Sequence, residues 1–61
     1  MLNVGDWVLE NDGSISQIVE VESSLWFPDT YKLLNPSYDS DTPYWIMYQP
    51  IKLTELLKAL L

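Results

Sequence analysis

The final twelve residues, Pro50 to Leu61, place the strongest constraint on this chain. Leu53, Leu56, Leu57, Leu60 and Leu61 recur at i, i+3, i+4, i+7 and i+8, one stripe of one short helix. Thr54 is suited to cap it, because a hydroxyl accepts from an otherwise orphaned N–H of the first turn. Glu55 follows where a negative charge suits the helix dipole, and Lys58 lies one turn further on. A helix of roughly 12 Å does not hold its shape alone in water. The rest of the chain must supply a surface for it.

Length limits that surface. Sixty-one residues make a single domain, 1–61, and a domain of this size is marginal without help. There is no cysteine, hence no disulfide and no thiolate metal site. There is no histidine either, so the commonest zinc ligand and general base are missing. Stability has to come from apolar burial, from oligomerisation, or from both. Three Trp, four Tyr and one Phe offer large areas to bury.

Charge narrows the partners. Nine acids face only Lys32, Lys52 and Lys58, for a net charge of −6. Three scattered lysines make no footprint for a phosphate backbone, so nucleic-acid binding is not expected. An acidic surface instead suits a basic protein partner, or simply keeps a small domain soluble. No apolar run reaches the length of a membrane span, and the N-terminus has no signal-peptide pattern. A cytoplasmic protein is expected.

Along the chain, Val4 to Glu10 reads as a first strand and Asn11-Asp12-Gly13 as a hairpin turn. Ile15 to Glu22 is a second strand, with Ile15, Val19 and Val21 on the buried parity and Ser16, Glu20 and Glu22 on the other. Ile18 breaks that alternation, which predicts either a bulge or a strand buried on both sides of a bend. After Ser23-Ser24, Leu25-Trp26-Phe27 begins a third strand that Pro28-Asp29 interrupts and Thr30 to Leu34 resumes. Asn35 to Pro43 is an exposed loop. Tyr44 to Tyr48 is a strand with apolar groups on both faces, and Ile51 adds a short bridge before the helix. The expected fold is mainly β with one C-terminal helix: a small, bent antiparallel sheet of four or five strands, an SH3-like barrel plugged by the leucine stripe. The alternative is a plain four-stranded meander with the helix across it.

Two segments carry a resemblance. Val4-Gly5-Asp6-Trp7-Val8, with the strand Ile18-Val19-Glu20-Val21, is one; Pro50-Ile51-Lys52-Leu53-Thr54, leading into the helix, is the other. Together they resemble a family of short uncharacterised proteins from Bacteroidetes genomes, prophages and phages. Those proteins open on a Gly-Asn-Trp-Val-like strand and close on a Pro-Ile-Pro-Leu-Thr-like turn into a helix, with proline where this chain has Lys52. The resemblance implies a phage or mobile-element origin and a small barrel. It implies no activity and transfers no functional residue.

No set of residues forms a catalytic constellation. Asp39-Ser40-Asp41 opens like a calcium loop, but the sixth position is not glycine and the twelfth is Pro50, so no metal is expected. The serines have no histidine partner and no Ser-x-x-Lys spacing, and Gly5 and Gly13 form no phosphate loop. No cofactor and no enzymatic activity are expected.

The aromatic set is the better lead. Alternation puts Tyr44, Ile46 and Tyr48 on one face of their strand and Trp45 and Met47 on the other, and one face is expected to look outward. Trp26 and Phe27, near a proline-marked edge, add a second candidate contact suited to a partner strand or to a homo-oligomer. The candidate binding surface is therefore Trp26, Phe27, Tyr44, Trp45 and Tyr48, with Asp39 and Asp41 as an acidic loop. The leading expectation is a phage-encoded module, in the cytoplasm of an infected or lysogenic host, that binds and blocks a host defence protein of basic character. A second is an oligomeric sponge holding a nucleotide-like signal in aromatic pockets, with Lys32 or Lys52 contacting the anion. A third is a structural or assembly protein of the phage particle.

Overall fold

The computed structural model describes residues 2–37 and 42–61. Five strands run β1 (Trp7–Leu9), β2 (Ile15–Glu22), β3 (Thr30–Leu34), β4 (Tyr44–Ile46) and β5 (Ile51–Lys52), followed by one helix, α1 (Leu53–Leu60). They form one antiparallel sheet in the order β4-β3-β2-β1-β5. The fold is mainly β with a C-terminal helix, as the sequence predicts. The sheet does not close into a barrel: β4 and β5 remain its two edges.

Local chemistry explains the elements. The β1–β2 hairpin has a three-residue loop, Asn11-Asp12-Gly13. The Gly13 N–H donates to the Glu10 carbonyl at 3.0 Å, and the Glu10 N–H to the Ser14 carbonyl at 2.9 Å. Gly13 takes φ +88, and no other residue type in the described chain has a positive φ. This is a type I turn closed by a left-handed glycine, not the two-residue turn that Asp-Gly favours most strongly. The Asp12 carboxylate locks it, accepting from the Ser14 N–H at 2.9 Å. The predicted bulge is present: the β2–β3 register shifts between Ile18 and Glu20. An extra residue there bends the strand and increases its twist.

The bulge also decides which side of β2 is inside. Ser16 and Ile18 are buried, whereas Ile15 and Val19 are exposed, the reverse of the expected parity. Only Val21 of the predicted inward set packs on the core. That core is Leu2, Val8, Ile18, Tyr31, Leu33 and Ile46, with Val21, Tyr44 and Tyr48 packed against it. It lies on the concave face of the curled sheet.

Three further expectations change. Trp7–Leu9 is all of the first strand that pairs regularly, because Asn3 to Asp6 form a turn, with the Asp6 N–H on the Asn3 carbonyl at 3.1 Å. Leu25-Trp26-Phe27 is not a strand but a bent excursion between β2 and β3. The helix is not a plug. It starts two residues earlier than a Thr54 cap requires, with Lys52 at the N-cap position and no side-chain cap bond. It packs against β1 and β5 alone and buries none of its residues.

Candidate functional site

The two ends of β2 carry the two features that stand out. At its start a carboxylate is buried. Glu10, just past β1, is 8% exposed and gathers four hydroxyls. Its Oε2 accepts from Ser16 at 2.5 Å, from Ser14 at 3.0 Å, and from Tyr44 through a short bond. The Tyr48 hydroxyl reaches Oε1 at 3.4 Å and itself accepts from the Asn11 N–H. Burying a carboxylate is costly unless hydrogen bonds replace its hydration, and here the Ser16 and Tyr44 hydroxyls do most of this, with Ser14 shared between Glu10 and Asp12 and Tyr48 at the long end of the range. Tyr44 is on β4, two strands removed from β1, so this contact exists only because the sheet curls. The cluster thus ties the sheet's far strand to its first hairpin.

Burial, and then the carboxylate accepting its proton, push the Tyr44 phenol up to about 12, against smaller opposing effects of Ser16 and Asn35. Asn35 beside it is buried, and its Nδ2 has no hydrogen-bond partner among the described residues. Its Oδ1 accepts from the Ser37 N–H at 2.9 Å. Tyr31 is also raised, by burial first and the Asp29 charge second.

The other end of β2 is the opposite case. Leu25, Trp26 and Phe27 are 96%, 85% and 74% exposed. The Trp26 N–H donates to Ser24 Oγ at 3.1 Å, which holds the bend. Beside it an open groove of about 470 Å³ is lined by Glu22, Ser24, Phe27, Pro28, Thr30 and Met47. Met47 is itself 83% exposed. Glu22 lines this groove and Asp29 follows Pro28, so two acidic residues neighbour the apolar tip, while Glu20 lies further along β2 opposite Lys32.

The predicted site residues divide accordingly. Trp26 and Phe27 are on the tip. Trp45 faces outward on β4, 43% exposed, with Lys32 Nζ 5.8 Å from its ring centroid, a cation–π contact. Tyr44 and Tyr48 are not on that surface; they turn inward to Glu10. Lys32 is on β3 opposite Glu20, whereas Lys52 on β5 pairs with Asp6 at 3.5 Å. β2 and β1 separate the two lysines, so they do not converge on one anion. Asp39 and Asp41 lie outside the described residues. Among the described residues no group of acidic side chains is arranged to hold a metal ion, and no helix is long and apolar enough to cross a membrane.

Sequence reasoning missed Leu25, Met47 and Glu10. A signal for the tip exists: Ser23-Ser24 and Pro28-Asp29, turn-forming residues, bracket the run on both sides. Glu10 has none, because its partners Tyr44 and Tyr48 are 34 and 38 residues away. Comparison with known protein families, curated proteins and solved structures returns no match to this chain.

Proposed function

We propose that this chain is a non-catalytic binding protein of phage or mobile-element origin that docks on a host protein of basic character and blocks it. The observation that carries the reading is the tip: three successive large apolar side chains, Leu25, Trp26 and Phe27, largely in water, while the core among the described residues is just Leu2, Val8, Ile18, Tyr31, Leu33 and Ile46. A solvated Trp–Phe pair beside an apolar groove is the composition of an interface hot spot. The neighbouring Glu22 and Asp29 suit a partner that brings lysine or arginine around an apolar anchor. Its place of action is the cytoplasm of the bacterial host.

Capture from host lysate tests this, comparing the parent chain with Trp26→Ser and Phe27→Ser. One host protein should be retained by the parent, less strongly at higher salt, and lost with either substitution. Retention unaffected by both would refute the tip as the docking site. The nucleotide-sequestering alternative has less support, since Lys32 and Lys52 are on separate strands and each already faces a partner group.

A further inference from the structure

We propose that α1 is a two-fold contact between two copies of this chain, independent of the tip. The helix has eight residues, too few to persist without packing, yet none of them is buried. Leu53 and Leu56 are half-buried, while Leu57, Leu60 and Leu61 are 58%, 75% and 106% exposed. Ile51, which leads into the helix, is 50% exposed.

Charge selects the occupant. Two copies of a chain with net charge −6 repel wherever carboxylates face each other. Asp12 marks the first turn, Glu20 and Glu22 the outer side of β2, and Asp29 the tip. No acidic side chain lies on the leucine stripe: at 100° per residue, Glu55 and Lys58 fall on the back of the helix. A second copy meets no like charge there, whereas the acidic tip disfavours its own copy and suits a basic partner.

The stripe is also self-complementary. In an antiparallel pair, Leu57 and Leu60 of each copy, which the chain's own sheet leaves exposed, interdigitate with Leu57 and Leu60 of the other. This is an isologous contact closed by a two-fold axis, with the helix dipoles opposed. The exposed parts of Leu57, Leu60 and Leu61 amount to on the order of 400 Å² per copy, hence about 800 Å² for the pair, the size of a weak, concentration-dependent contact. The dimer would present two tips, so a partner with two sites would be held by avidity.

Sedimentation equilibrium and native mass spectrometry of the full chain, from micromolar to millimolar concentration, test the proposal. The expected species is a dimer. Leu60→Glu should raise the dissociation constant by about thirtyfold or more. Lys58→Glu alters the charge twice as much but on the back of the helix, and should weaken the dimer far less. Trp26→Ser should leave it intact. If Leu60→Glu fails to fold, Leu57→Cys, in a chain with no other cysteine, should give a disulfide-linked dimer on oxidation. A monomer at every concentration, an assembly larger than two, equal weakening by Leu60→Glu and Lys58→Glu, or no cross-link would each overturn it.

Discussion

The two ends of β2 invert the usual placement of polar and apolar groups. At the start, a charged carboxylate is inside the protein with four hydroxyls on it; at the far end, Leu25, Trp26 and Phe27 are in water. One end is closed because the polar partners reach it from β2, β4 and the segment beyond. The other is open because no described element packs over it. The contrast separates two regions: the Glu10 end ties β4 to the first hairpin, and the tip makes little contact with the rest of the described chain.

Substitutions that empty the Glu10 end should break the contrast most. Glu10→Ala leaves the Ser16 and Tyr44 hydroxyls without their acceptor in a buried site, a loss of about 3 kcal/mol or more. A domain of this size has a total stability of only roughly 3–9 kcal/mol, so a large unfolded fraction is expected by circular dichroism at room temperature. Glu10→Gln keeps an acceptor oxygen and should cost clearly less. If Glu10→Ala melts with the parent, the cluster does not hold the fold.

Alkaline pH probes the same end more gently. The folded state raises the Tyr44 phenol from 10.0 to about 12, so it binds that proton more tightly than the unfolded chain does. The resulting stability is fully present below pH 10 and is lost as pH rises from 10 towards 12. Melting temperature should fall steeply across that window. Tyr44→Phe should start lower and fall less, with the remaining slope due to Tyr31, which is raised too. Identical slopes in the parent and Tyr44→Phe would remove Tyr44 as the cause.

Gly13→Ala should cost about 1 kcal/mol, because φ +88 strains any residue with a Cβ. No atom lies within 4 Å of the added carbon, so a crystal structure of the variant should show an unchanged neighbourhood, and the penalty should be read from denaturant titration as backbone strain alone. The smallest effect belongs to the open end. Trp26→Ser and Phe27→Ser should shift unfolding by no more than about 0.5 kcal/mol, since these side chains bury little within the chain. The same variants should lose the captured partner. Stability loss at the tip comparable with that at Glu10 would erase the distinction between the two ends.

Much of the fold was legible from residues in order. The boundaries of Ile15–Glu22 and Thr30–Leu34 agree with the sequence reading. So do the bulge at Ile18, the glycine turn after β1, and the split of Tyr44–Met47 into an inward and an outward set. The site was legible only in part. Trp26 and Trp45 are exposed aromatics as expected, but Tyr44 and Tyr48 were assigned outward and are spent on Glu10.

What the sequence determined by itself is what neighbouring residues decide. Turn geometry, strand period and the helical leucine spacing depend on φ and ψ preferences and on side chains a few positions apart. What only the tertiary structure decided is which face those patterns turn inward. Ser16 is polar and was placed outside; it is fully buried because Glu10 and Tyr44 meet its hydroxyl there. Leu25, Trp26 and Phe27 are apolar and were placed in a strand; they are in water because no strand runs beside them. The leucine stripe needed a surface, and β1 and β5 cover only its first turn and half of its second. Burial is a property of the whole chain's pairing, since each side chain's partner comes from whatever the sheet's curl brings to it.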